Sequence, residues 1–361
     1  MFMRAAEATL YAKIEATYGV AVAPAVAADV LRVFDLNMKA LEADVQEDEV
    51  AQSAWGNNEI FHVGQHVSID FKMYMVGAGA AGSEPTWALP FKVCGNAVTL
   101  TALTDATYNM ISADGSSMTV YINVGGNRHP VTGFRGSVTG RMDAKKRPYF
   151  EFKGLGLFGA PVAKATINPD ISAIVHPVTV GKDYTTVTLH GVTVNMVSYM
   201  FDQGNEYKYI EVTGYRGIDI DDRKPKGELV IMAPEVAVQN WFTVALDGTA
   251  DALIIEHGAG DGNGNHIRID EQRVQLIKPE YVKVDGKVVD TKPMSRTLPM
   301  ILQWDESFDI GSDTLTGVND ADYQPPFTFT GKLNKLTVDI DRPKLTPEDI
   351  KKLETAMQTK D

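Results

Sequence analysis

The stretch Val67-Ser68-Ile69-Asp70-Phe71-Lys72-Met73-Tyr74-Met75 alternates apolar and polar residues, then turns apolar at its end. Successive side chains of a strand point to opposite faces, so a period of two marks a half-buried strand. The same reading applies to Thr119-Val120-Tyr121-Ile122-Asn123-Val124, after which Gly125-Gly126-Asn127 signals a turn. It applies again to Thr186–His190, Val192–Met196, Tyr149–Gly154 and Gly227–Met232. The expected fold class is therefore mainly β.

Helical spacing is rare. Val238, Trp241, Phe242 and Ala245 predict a helix over Val236–Leu246, and Trp87–Val93 is a weaker counterpart. Near the end, Thr346 suits an N-cap and Pro347 the first helical position. Glu348 and Asp349 favour a helix N-terminus, and Ile350, Leu353 and Met357 form an apolar stripe.

An internal repeat runs through the first 280 residues. Leu36-Asn37-Met38 answers Val194-Asn195-Met196 at an offset of 158; Trp87 answers Trp241 at 154 and Gly95 answers Gly248 at 153. Between these marks each copy reads strand, loop, short helix, glycine, strand, with Ala97–Leu100 and Asp251–Ile255 as the closing strands. Composition shifts near Lys278-Pro279-Glu280. The expected organisation is one β-domain over 1–160, a second copy over 161–280, and a small appended module over 281–361. The module carries a tight turn at Val284-Asp285-Gly286-Lys287 and ends in the capped helix.

The bulk numbers exclude several classes. The chain has 361 residues, 44 % hydrophobic and 22 % charged, so it can bury a sizeable core. Its formal charge of -13 opposes tight binding to nucleic acid, which draws on Lys and Arg. A single cysteine, Cys94, excludes an intrachain disulfide and a multi-cysteine zinc site; its neighbours Phe91, Val93 and Gly95 suggest a buried small hydrophobe. No apolar run approaches a membrane span of about 20 residues. The first residues lack the apolar core of a secretory signal. Synthesis in the cytoplasm and no membrane partner are the expectations.

Motifs that imitate chemistry fail on named residues. Gly77-Ala78-Gly79-Ala80-Ala81-Gly82 matches G-x-G-x-x-G, yet Ser83-Glu84-Pro85 follows where a nucleotide fold needs a helix. Asp261, Asn263 and Asn265 open like a calcium loop, but Gln272 stands where the bidentate Glu belongs. His62 and His66 are four apart in a strand context, where a metal pair of that spacing needs a helix. The remaining histidines, His129, His176, His190, His257 and His266, lie singly. Asp219, Asp221 and Asp222 beside Arg223, Lys224 and Lys226 read either as a solvated hairpin or as an ionic contact between subunits. No nucleophile elbow or phosphate cradle occurs. The expectation is no catalytic residue, no cofactor and no metal.

Diffuse motifs carry a resemblance. They are Tyr11–Val20 with the Pro/Ala-rich stretch to Asp29, Val63–Phe71, Pro85–Phe91, Val131–Gly140, Pro148–Gly154, Asp222–Gly227 and Asn240-Trp241-Phe242. Over about residues 10–280 the chain resembles the tail tube proteins of siphovirus-type bacteriophages. The resemblance implies a β-sandwich or barrel subunit that builds stacked rings around a lumen conducting DNA, located in the virion tail. It also implies the partners of such a tube: further copies of itself, a tape measure protein, and tail terminator and distal tail proteins. A single-copy subunit makes a hexamer, whereas a duplicated one makes a trimer with pseudo-sixfold symmetry, which the repeat favours. A negative lumen would let DNA pass without binding it.

The end of the chain resembles the accessory C-terminal β-region of arylsulfatases, on Thr297–Met300, Asp309–Thr314, Asp322–Phe327 and Phe329–Asp339. Sulfatase chemistry needs Cys or Ser in a C/S-x-P-x-R setting; Ser83-Glu84-Pro85-Thr86 ends in Trp87 and Cys94 lacks that context. The resemblance therefore implies a shared accessory fold without sulfatase activity, decorating the outer wall of a tube. Trp304, Tyr323, Phe327 and Phe329 could instead make a sugar platform for a host surface glycan, the basis of an alternative carbohydrate-binding reading. A minor tail or baseplate protein of the same fold is the other alternative.

Overall fold

The computed structural model describes residues 9–24, 29–50, 56–112, 115–164, 175–259 and 264–280, together with 312–313 and 327–328. The chain divides into two compact units, Met1–Glu280 and Tyr281–Asp361. In the second unit the described residues are the strands Ser312–Asp313 and Phe327–Thr328, which pair with each other antiparallel. The capped helix at Thr346, the turn at Val284 and most of the sulfatase-like text lie outside the described residues.

The first unit is mainly β. In chain order its strands are β1 (Thr9–Ile14), β2 (Val30–Leu31), β3 (Phe34–Glu47), β4 (Ile60–Tyr74), β5 (Asn96–Thr101), β6 (Asp105–Met110), β7 (Met118–Val124), β8 (Asn127–Asp143), β9 (Tyr149–Phe158) and β10 (Val162–Ala163). Then follow β11 (Thr185–Leu189), β12 (Val192–Thr193), β13 (Met196–Asp202), β14 (Asn205–Val212), β15 (Tyr215–Arg223), β16 (Lys226–Ile231), β17 (Ala250–Gly258) and β18 (His266–Gln275). Two short helices, α1 (Ala88–Val93) and α2 (Trp241–Leu246), complete the described elements.

The quoted stretch forms the core half of β4. Val67, Ile69, Phe71 and Met73 are each at most 2 % exposed, while Ser68, Asp70 and Lys72 point the other way. β4 pairs with β9 from His66↔Leu157 to Tyr74↔Tyr149, which stacks Phe71 on Phe152 at 5.3 Å. Burying each such side chain contributes roughly 1.5–3 kcal/mol. Phe134, Val138 and Met142 of β8, Val120 and Ile122 of β7, and Leu10 of β1 fill the same core.

The main sheet has the order β2-β1-β7-β8-β9-β4-β3. β8 is 17 residues long, and its two ends serve different partners. Its first half pairs with β7, and its second half pairs with β13 from Thr139↔Asp202 to Asp143↔Ser198. The sheet thus runs across residue 160, joining both halves of the first unit. β11, β12, β17 and β18 make a separate sheet, whose tight turn His190-Gly191 has both residues at positive φ. None of these sheets closes on itself.

The two halves share an order of elements. β3 and β4 form one long hairpin; β13 to β16 form another, interrupted midway at Gln203-Gly204 and Lys224-Pro225. Each hairpin leads to a short helix, a glycine in the left-handed region (Gly95, φ 77°; Gly248, φ 64°) and a further hairpin, β5–β6 or β17–β18. Pro90 is harmless in α1 because the first helical N–H groups have no intrahelical partner. α2 is shorter than its sequence predicts. Asn240 Oδ1 accepts from Phe242 N (3.1 Å) and Thr243 N (3.2 Å), so the helix starts there, and Val236–Gln239 form a turn.

Candidate assembly surfaces

The two loops that imitate ligand sites bind each other. Gly79 N donates to Gly264 O at 2.9 Å, and Gly77 N donates to Asn265 Oδ1 at 3.0 Å. A Cβ on Gly77 would lie 2.2 Å from Gly264 O, and one on Gly264 would lie 2.4 Å from the Gly79 carbonyl carbon. Glycine at these positions allows one backbone to cross another. Asn265 Nδ2 also donates to His176 O (3.0 Å); Asp261 and Asn263 lie outside the described residues.

The histidines are dispersed. His62 faces Val45 across the β3–β4 ladder and is exposed. His66 contacts Gly64 O through Nδ1 at 2.8 Å and stacks on Tyr209 at 5.1 Å. His257 is buried and shares a 2.9 Å hydrogen bond with Thr185 Oγ1, while its Nε2 meets no hydrogen-bond partner among the described residues. Among the described residues no group of three His, Cys, Asp or Glu is arranged to hold a metal. Cys94 is fully buried, and burial pushes its thiol pKa up, so it behaves as a small hydrophobe.

The mixed-charge hairpin splits into an outer and an inner set. Outside, Lys224 bridges Glu206 (2.6 Å) and Asp222 (3.1 Å), Lys208 pairs with Asp221, and Lys226 lies 3.7 Å from Asp202. Arg223 turns inward. Its Nε donates to Asn205 Oδ1 at 2.7 Å and a terminal nitrogen donates to Gly95 O at 3.1 Å. Asn205 Nδ2 donates to Cys94 O (2.7 Å) and Gly136 O (2.9 Å), and Gln203 Nε2 donates to Cys94 O (2.9 Å). The carbonyls of Cys94 and Gly95, just past the end of α1, thus accept side-chain bonds from residues more than 100 positions away. A Cβ on Gly95 would meet the Arg223 guanidinium at 2.4 Å. Arg223 is therefore a clamp within the chain, and Gln203 and Asn205 are parts of it that no local motif signals.

A second buried centre lies in the Tyr11–Val20 stretch. Glu15, 7 % exposed, accepts from Gly19 N (2.8 Å), Ser117 Oγ (2.6 Å), Thr119 Oγ1 (2.9 Å) and Gly133 N (2.8 Å). Tyr18 beside it donates to Gly133 O and accepts from Ile218 N, with the Arg135 guanidinium 4.5 Å over its ring. Burial pushes the Tyr18 hydroxyl up to about 12.

What these supports leave open is a set of edges. Among the described residues β3 pairs only with β4, and β16 only with β13. β9 covers β4 from His66 onward, so Ile60–Gln65 and their β3 partners project past the sheet as a two-stranded arm. Directly opposed residues share a face. Phe61 and Val63 lie on one face, and Val45 and Ile60 on the other. All four are exposed, Phe61 to 53 %. A lone two-stranded ribbon is marginal in water, and among the described residues these four apolar side chains stay exposed on its two faces. No helix among the described residues is long and apolar enough to cross a membrane. No family model matches the chain, and no curated protein matches it either.

Proposed function

We propose that the chain is the structural subunit of a phage tail tube, assembling into stacked rings around a lumen through which DNA passes. The observation that carries the reading is two strands left with one partner among the described residues, β3 and β16, with an arm that bares apolar residues on both faces. An open edge is a liability in a monomer and a template for pairing with another chain. The shared order of elements in the two halves supports a trimeric ring with pseudo-sixfold symmetry, since each half supplies a long hairpin, a short helix and a further hairpin. The charge of -13 supports a wall that repels DNA phosphates. A decoration role for residues 281–361 and the tape measure and terminator partners belong to the same proposal.

Electron microscopy of the concentrated protein tests it. The expected result is hollow tubes of threefold or sixfold rings with an axial repeat of about 40 Å, the length of two short strands with their loops at roughly 3.3 Å per residue. A chain that stays monomeric at its highest attainable concentration, or builds solid fibres, overturns the proposal.

A further inference from the structure

Charge is distributed unevenly along the main sheet. Between Ala40 and His66 the chain has six carboxylates, Glu42, Asp44, Glu47, Asp48, Glu49 and Glu59, and no Lys or Arg. Glu42 pairs with Lys39 at 2.7 Å and lies 3.8 Å from His66; the other five form no ion pair among the described residues. The arm is therefore acidic as well as apolar: Asp44 shares a face with Phe61 and Val63, Glu47 shares one with Val45 and Ile60, and Asp48, Glu49 and Glu59 follow at its end.

The other end of the same sheet is basic. The turn between β8 and β9 exposes Lys145, Lys146 and Arg147, with Arg141 just before it. Lys145 N donates to Val180 O and Val180 N donates to Lys146 O, both at 2.9 Å. These bonds hold a second turn alongside, which adds exposed Lys182. The carboxylates here are Asp143, paired with Lys146 at 3.0 Å, and exposed Asp183; Asp35 is occupied by Lys72 at 2.9 Å. Lys145 and Arg147 make no ion pair among the described residues, and Arg147 lies 5.9 Å over the Tyr74 ring. β4 links the two ends. It begins in the arm at Ile60 and ends at Tyr74, where Met75 N donates to Pro148 O at 3.0 Å beside the basic turn. Its length puts arm and turn about 45 Å apart at roughly 3.3 Å per residue.

We propose that the acidic arm of one copy docks on the basic turn of a second copy, head to tail, with Glu47, Asp48 and Glu49 facing Lys145, Lys146, Arg147 and Lys182. The inference rests on the assembly reading above and gives it a direction. Arm-to-arm pairing would set like charges together, whereas arm-to-turn pairing neutralises both. The two surfaces differ, so the contact is heterologous and repeats from copy to copy, as a growing tube requires. Exposed charges of this kind steer encounter and weaken with salt.

Cys94 is fully buried, so an introduced cysteine is the accessible thiol of its variant. Glu49→Cys and Lys145→Cys proteins, mixed and treated with a short bis-maleimide, should give the mixed dimer several-fold over either homodimer. The yield should fall at about 1 M salt, where the screening length is about 3 Å. In uncross-linked protein, Lys145→Glu with Lys146→Glu should stop elongation, and adding Glu47→Lys with Asp48→Lys should restore it. Hollow tubes without the mixed cross-link, a dominant homodimer, or elongation indifferent to charge reversal overturns the docking inference and leaves the tube proposal standing. Mixed cross-links in filaments without a lumen do the reverse. A basic turn that retains a duplex oligonucleotide and yields no mixed cross-link marks a nucleic-acid contact and overturns the inference.

Discussion

Replacing Glu15 by Ala should strongly destabilise the first unit. The carboxylate is buried and takes four hydrogen bonds of 2.6–2.9 Å from β7, β8 and the turn after β1. The Ser117 and Thr119 hydroxyls can rotate to other acceptors, but the backbone N–H groups of Gly19 and Gly133 cannot. Each buried donor left without a partner costs about 1–3 kcal/mol, and bonds to a charged acceptor lie at the upper end. The loss should therefore be about 3–5 kcal/mol, a large share of the 5–15 kcal/mol typical of a folded domain. Glu15→Gln keeps the shape and one acceptor oxygen, so it should cost about half as much, mainly through the Gly19 N–H facing an amide NH2. Urea denaturation followed by Trp fluorescence would measure both, with a fall in midpoint and an unchanged slope. A Glu15→Ala protein within about 1 kcal/mol of the parent would refute the view that this carboxylate holds three segments together.

Two further outcomes follow from other buried groups. Arg223→Ala should cost about 1–3 kcal/mol, because it leaves Asn205 Oδ1 without its donor while Gly95 O keeps its bond from Ile111 N, and should speed amide exchange at the end of α1; unchanged exchange there would count against the clamp. Burial lowers the His257 pKa below its ordinary value, so the fold holds this ring neutral. Its contribution is complete above the unfolded value of about 6.5 and is lost as pH falls through the folded value. Glu271, whose pKa burial raises, acts in the opposite direction at lower pH. Thermal melts from pH 7.5 to 5 should therefore decline, and His257→Gln should flatten that decline.

The parts of the fold that could be read in advance are those where burial is one-sided. β4 and β9 alternate because one face meets the core, and a local pattern records that. The spacing from Val236 predicts too long a helix because an apolar run with helical spacing does not show where the backbone is capped. Asn240, the capping residue, decides it. The polar centres were hidden for a different reason. Three of the four donors to Glu15 lie 102–118 residues away, Asn205 reaches Cys94 across 111, and Gly77 meets Asn265 across 188. Nothing in a short window distinguishes such a carboxylate or amide from a surface one. The same distance explains why the glycine-rich loop and the Asp/Asn/Gly loop looked like two separate ligand motifs, since each supplies the shape that the other needs.

The seam between the halves shows what joining them in one chain achieves. β13 extends the sheet from β8, and Gln203, Asn205 and Arg223 close the end of α1. Made between separate chains, that seam would first have to offset about 4–15 kcal/mol of lost translational and rotational freedom. A covalent connection replaces that loss with an effective concentration in roughly the millimolar range or above. The seam is largely buried and bonds mainly to backbone carbonyls, so salt screens it weakly. The arm and the basic turn have the reverse character, being exposed, charged and responsive to ionic strength. In the proposed tube, one class of contact is permanent and the other is set by the medium. The chain can then fold completely before it meets its neighbours, with its edges open and its two halves already locked.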